Sequence, residues 1–162
     1  KAARAAVGPD FPIILRWSQW KQQDYTARLV KSPEQLEAFI KPLSDAGVDI
    51  FHCSQRRFWQ PEFEGSDLNL AGWVRKITGK PAITVGSVGL NADFIPEPGQ
   101  RTFREAEPAS LEELIRRMDA SEFDLVAVGR ALIANPAWVD MVQAERHEEL
   151  QPFRKEHLGE LI

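Results

Sequence analysis

Four short apolar runs, rich in β-branched residues and leucine, recur along the chain, and a helix-like pattern separates each from the next. Runs of this kind suit strands buried on both faces. A helix between consecutive strands returns the chain to the edge where it started, so the sheet it builds is parallel. This repeat restricts the chain to the α/β class more tightly than any other feature.

The runs are Phe11 to Arg16, Val48 to Cys53, Ala82 to Val85 and Phe123 to Val128. Behind the first, Ser32, Pro33 and Gln35 read as N-cap, first helical residue and capping-box partner. Leu36, Phe39, Ile40 and Leu43 then form one apolar stripe that ends at Gly47. Behind the second, a loop of aromatic and charged residues from Gln55 to Glu64 leads to a helix opened by Ser66 or Asp67. Its stripe is Leu70, Trp73, Val74 and Ile77, and Gly79 closes it. Behind the third, Ser110 and Glu113 read as a second capping box before Leu111, Leu114, Ile115 and Met118. A helix from Ala137 to about Glu145 follows the fourth run, and Leu150 to Ile162 reads as a shorter amphipathic tail. Lys1 to Val7 reads as the last turns of a helix, stopped by Gly8.

Periodicity alone leaves two architectures open: half of a (β/α)8 barrel, or an open doubly wound sheet of flavodoxin type. No linker divides residues 1–162, which read as one unit cut from within a larger domain. One long insertion, Gly86 to Ala109, contains Pro96, Pro98, Gly99 and Pro108, the composition of a functional surface loop. A net charge of -4 argues against nucleic acid or an anionic membrane as the main partner. The single cysteine, Cys53, excludes a disulfide within the chain and suits a reducing compartment. With no signal-like N-terminus and no membrane-length apolar run, the expected location is cytoplasmic.

Parallel α/β architectures bind ligands at the carboxyl ends of their strands. The third run ends in Val85-Gly86-Ser87-Val88-Gly89, where glycines let the backbone turn its N–H groups toward an anion and the serine adds a hydroxyl donor. By itself this pattern is often only a tight turn. The fourth run ends in Gly129-Arg130, which places a guanidinium, a bidentate binder of phosphate oxygens, at a strand end. By itself that arginine could equally serve a surface ion pair. Together the two strand ends make a stronger signal, because barrels often hold phosphate after their last two strands.

In order along the chain, Leu15-Arg16-Trp17-Ser18, Asp49-Ile50-Phe51-His52, Thr84 to Gly89, and Gly129-Arg130-Ala131-Leu132-Ile133-Ala134-Asn135-Pro136 resemble strands five to eight of the old yellow enzyme, or NADH:flavin oxidoreductase, family. Phe58-Trp59 and Pro61 to Ser66 resemble one bacterial subgroup of it. The resemblance implies the C-terminal half of a TIM (β/α)8 barrel that binds FMN, with the first half absent. Arg16 would lie beside the flavin pyrimidine ring, with an interior ion pair as its structural alternative. Gly129 and Arg130 would hold the FMN phosphate, assisted by the backbone of Gly86, Ser87, Val88 and Gly89. The intact enzyme would pass a hydride from NAD(P)H through FMN to an electron-poor alkene. A module that binds phosphate or a nucleotide without chemistry is the alternative reading.

The family's carbonyl-binding His-x-x-His or His-x-x-Asn pair has no counterpart among His52, His147 and His157. Tyr25, the only tyrosine, lies in the loop after the first run, so no catalytic acid is assigned. His52 reads as a packed, hydrogen-bonded strand residue, and His147 and His157 as solvated. Cys53 and His52 are strand neighbours that face opposite ways, which argues against a thiol nucleophile. Trp17, Trp20, Phe58 and Trp59 read as packing residues. A half-barrel exposes open edges and an apolar interior, so the chain is expected to self-associate or to pair with the missing half.

Overall fold

In a computed structural model, residues 1–21, 23–94 and 104–159 are described. Pro96, Pro98 and Gly99 of the long insertion, and the last three residues of the tail, lie outside them. Four parallel strands, β1 (Ile14–Ser18), β2 (Ile50–Ser54), β3 (Ala82–Val85) and β4 (Leu125–Val126), pair in the order β1-β2-β3-β4. Sheet order follows chain order with no reversal, so the doubly wound alternative is excluded and the sheet is that of a half-barrel.

The register explains which face is covered. Trp17 sits beside Cys53 and Cys53 beside Thr84, while Phe51 sits beside Ala82. Phe51, Cys53, Ala82 and Thr84 are fully buried. A short α1 (Ala2–Val7) precedes β1, and over the buried residues lie α2 (Pro33–Asp45) and α3 (Leu70–Thr78), with the Phe39 ring 5.2 Å from that of Trp17. The alternate residues carry three rows on the other face: Ile14 beside Ile50; Arg16, His52, Ile83 and Leu125 in line; and Ser18, Ser54 and Val85 in line. Ile14 is 53% and Leu125 48% exposed, so this face is uncovered.

Several element boundaries differ from the sequence reading. β1 begins at Ile14 because Pro12 has no N–H to donate, and the N–H of Ile13 is taken by the Asp49 carboxylate at 2.8 Å. β4 is reduced to two residues. Ser32 caps α2 as expected, but Gln35 returns its bond to the N–H of Lys31 instead of Ser32. The cap of α3 is Asn69, not Ser66 or Asp67: its Oδ1 accepts from Gly72 N–H at 2.9 Å, while Ser66 closes a local turn. In α4 (Glu112–Asp119) no capping box forms, because Glu113 turns to Arg116 and Arg117. Two short helices follow β4, α5 (Arg130–Ala134) and α6 (Trp138–Gln143). The described part of the amphipathic tail forms a 3-10 turn at Lys155–Leu158, next to the buried Phe153.

The largest departure is on α4. Ile115 and Met118 face outward, and Arg117, 5% exposed, is buried instead. Its Nη1 donates to both oxygens of Glu122 at 2.9 Å and to the Asp67 carbonyl, and its Nη2 donates to the Trp59 carbonyl at 3.0 Å. Glu122 is buried too, and its Oε1 accepts the N–H of Asn69 at 2.7 Å. A buried charge is tolerable only when paired and hydrogen-bonded. Glu122→Ala, which removes the buried partner of Arg117 and leaves it only the more exposed Glu113, is therefore expected to lower unfolding stability by up to roughly 3 kcal/mol. Replacing both partners (Arg117→Met with Glu122→Leu) is expected to cost much less. Urea titration followed by circular dichroism measures both.

Candidate functional site

The loops leaving the carboxyl ends of all four strands converge on one cavity of about 250 Å³. β1 and its loop supply Arg16, Trp20 and Tyr25; β2 and its loop supply Ser54, Gln55 and Arg56. The β3 side supplies the turn from Val85 to Val88 together with Asp93 and Phe94, and the β4 side supplies Ala127, Gly129 and Arg130. Six of the seven residues singled out in the sequence, Arg16, Gly86, Ser87, Val88, Gly129 and Arg130, thus share this cavity. Gly89 is not among the lining residues: a Cβ there would meet the Trp138 ring at 3.2 Å, so this glycine packs against α6.

The β3 turn has a specific steric cause. Gly86 has φ 130°, and a Cβ on it would lie 2.5 Å from the Gln55 carbonyl oxygen and 2.8 Å from the Arg56 carbonyl carbon. Only glycine lets the turn lie against the β2 loop. Its carbonyl accepts the N–H of Phe58 at 3.1 Å, which ties the two loops together. Ser87 also takes positive φ, and its hydroxyl lies 3.2 Å from the Arg56 carbonyl and 3.3 Å from that of Ala92. The hydroxyl expected to face a ligand is thus engaged within the turn. Gly129 has nothing within 4 Å of a built Cβ, so the backbone there is open.

Arg130 is mostly buried. Its Nη2 donates to the Ala92 carbonyl at 2.6 Å, while Nη1 is buried with no hydrogen-bond partner among the described residues. The rings of Phe94 and Phe153 lie 5.6 and 5.5 Å from its guanidinium carbon. Burial lowers its pKa, opposed by the nearby Asp93 carboxylate. Arg16 is exposed on the uncovered face, 3.4 Å from the Ser54 hydroxyl. The cavity lining holds three guanidiniums against one carboxylate, an excess of two positive charges in a chain whose net charge is -4. That excess matches a phosphate monoester, which carries about -1.5 to -2 at neutral pH. An unpartnered buried guanidinium nitrogen in the same wall also fits a missing anionic acceptor. The volume lies just under the ~300–1,000 Å³ of small-molecule sites, so these walls fit the phosphate end of a flavin nucleotide better than its whole length.

Other residues stand as follows. His52, beside Arg16 in the register, has its pKa lowered by burial and then by that guanidinium. Its Nε2 is buried without a partner, so the hydrogen bond expected for it is not made among the described residues. Burial pushes the Cys53 thiol far up, in keeping with an inert core residue. Trp20 and Tyr25 were read as packing and loop residues, yet both line the cavity. Arg56 and Asp93 were not singled out at all. The mixed aromatic and basic composition of the loop after β2 marked the right segment without identifying the residue. Among the described residues no group of side chains could hold a metal ion, and no helix is long and apolar enough to cross a membrane.

No protein-family model matches the chain. A curated NADH oxidase of Thermoanaerobacter brockii is 30% identical over 156 residues, covering 91% of this chain but 20% of its own length. Among solved structures, the old yellow enzyme of Trypanosoma cruzi superposes with a TM-score of 0.60 at 19% identity, over 96% of this chain and 34% of that one. Morphinone reductase gives 0.55 at 16% identity, over 89% and 32%. The old yellow enzyme homologue of Zymomonas mobilis gives 0.56 at 18% identity, over 89% and 34%. The chain thus spans a fifth of the curated relative's length and about a third of the solved neighbours'. In sequence and in fold, it resembles one part of a barrel of the old yellow enzyme and NADH:flavin oxidoreductase family.

Proposed function

We propose that this chain supplies the flavin phosphate site of an FMN-dependent oxidoreductase of the ene-reductase type. The observation that carries the reading is the meeting of Arg16, the Gly86–Val88 turn and the Gly129–Arg130 pair in one cationic cavity with an unpartnered Arg130 nitrogen. FMN held there would supply hydride transfer between NADH or NADPH and the β-carbon of an electron-poor alkene such as an enone. Arg130 holds the phosphate dianion at the end of β4. The open backbone of Gly129 lets the phosphate approach closely. Arg16, on the same face as the cavity mouth, keeps a positive charge beside the pyrimidine end of the flavin and so favours its reduced, anionic form.

The chain contributes no assigned proton donor for the alkene. That group, and the pair that holds the substrate carbonyl, belong in this reading to a partner half-barrel. The uncovered face that carries Ile14, Ile50, Ile83 and Leu125 is the surface that such a half, or a second copy, would cover.

With FMN added, the chain is expected to retain a yellow chromophore absorbing near ~450 nm after desalting. Arg130→Ala is expected to weaken FMN retention at least tenfold. A wild-type chain that binds no flavin would defeat the reading in favour of a simple phosphate-binding module. The chain alone is expected to show no NADPH oxidation with cyclohexenone, and robust turnover would show that the acid is present after all. Light scattering is expected to report association that Ile14→Glu with Leu125→Glu abolishes; a monodisperse wild-type monomer would contradict it.

A further inference from the structure

We propose that Arg56 is a second phosphate-binding side chain of the cavity, clamping the same dianion as Arg130 and held for that task by Asp93 and Tyr25. The proposal rests on the reading of the cavity as a phosphate site.

Arg56 arrives from the loop after β2 and Arg130 from the end of β4, and both line the one cavity. Asp93 lines the same cavity. Its Oδ2 accepts from Arg56 Nη2 at 2.5 Å, and its charge acts on Arg130. Each guanidinium keeps one buried nitrogen without a hydrogen-bond partner among the described residues, Nε of Arg56 and Nη1 of Arg130. Two such orphans in one wall point to an acceptor that the described residues do not supply.

Asp93 does not account for Arg56 as a structural counter-ion. Arg57 already meets that carboxylate in a bidentate pair, Nε to Oδ1 at 3.0 Å and Nη2 to Oδ2 at 2.9 Å. A bidentate guanidinium–carboxylate pair is electrostatically complete. Arg56 is thus a second cation on an anion already neutralised, and its charge remains available. The hydrogen-bond partner of Arg130 among the described residues is the neutral Ala92 carbonyl. Two guanidiniums from different loops of one cavity, with a single carboxylate shared among them and Arg57, leave the excess positive charge that suits a phosphate dianion.

The remaining contacts of Arg56 fix its plane. Its guanidinium carbon sits 3.6 Å from the centroid of the Tyr25 ring, and Trp20 meets that ring edge-on at 5.4 Å. Stacking on an aromatic face removes rotational freedom before any ligand arrives, which favours tight binding. Lysine would keep the charge but neither the stack nor the fixed fork.

The test uses the chain with Arg56→Gln, Arg56→Lys and Arg130→Gln, titrated with FMN and with riboflavin by flavin fluorescence, and with inorganic phosphate by phosphorus NMR. Arg56→Gln is expected to weaken FMN at least tenfold, comparably to Arg130→Gln, to leave riboflavin within twofold, and to abolish phosphate binding. Arg56→Lys is expected to fall between Arg56→Gln and wild type, at least threefold weaker than wild type for FMN. Equal losses for FMN and riboflavin, or unchanged FMN and phosphate affinities in Arg56→Gln, would overturn the proposal. Should Arg56→Gln fail to fold by circular dichroism, the lysine variant decides: affinity equal to wild type overturns it. A wild-type chain that takes phosphate but neither flavin, and loses phosphate in Arg56→Gln, or in Arg56→Lys where the glutamine variant does not fold, sinks the flavin reading and leaves Arg56 assigned. Phosphate binding by no form of the chain sinks both.

Discussion

The buried network of Asn69, Glu122 and Arg117 holds the functional end of this molecule in place. Asn69 is fully buried and uses every group it has: its Oδ1 caps α3, its Nδ2 reaches the Phe58 carbonyl and the Thr84 hydroxyl, and its N–H meets Glu122. Through these contacts β3, α3 and the loop after β2 are fixed to one another. Arg117 extends the same network to the carbonyls of Trp59 and Asp67. Polar groups this deep are stable only when all are satisfied, so the network specifies one arrangement of that loop.

The consequence reaches the cavity through a few residues. The far half of the β2 loop, from Phe58 onward, is held by the network. Its near half, Gln55 to Arg57, lies against Gly86, where no side chain fits. Arg56 and Arg57 are therefore carried to Asp93 by a backbone confined on two sides. Asp93 and Ala92 in turn take up Arg56, Arg57, Ser87 and Arg130. Loops are usually the mobile part of an α/β protein. Here three of them are cross-linked by charge and by carbonyl contacts, so the guanidiniums are positioned before any anion binds.

What was legible in the sequence follows from how local each signal is. The stripes of α2 and α3 and the run of β3 depend on side-chain periodicity alone, and they stand where the pattern put them. The Gly-Ser and Gly-Arg strand ends were visible because glycine and arginine have few substitutes in such geometry. The misread features depend on partners distant in the chain. The cap of α3 passed to Asn69 because its amide is also needed 11 and 15 residues away, at Phe58 and Thr84. Arg117 displaced Ile115 and Met118 from the buried face of α4 because two carbonyls and a carboxylate converge only there. Arg56 was invisible for the same reason: its surroundings, Tyr25 and Asp93, come from two other loops.

The uncovered face and the cavity express one property of barrels, that neighbouring strands do different work at their two surfaces and their ends. Packing against α2 and α3 satisfies one face of the sheet without help from outside this chain. The opposite face leaves Ile14 and Leu125 exposed and His52 Nε2 without a partner among the described residues. The cavity lies at the strand ends and is assembled from four consecutive loops, so its cationic walls form whether or not that face is covered. Anion recognition and the closing of the barrel are in this sense separable. Arg16, Ser54 and Val85 belong to both, standing on the bare face while lining the cavity, and of the three Arg16 brings a charge to that border.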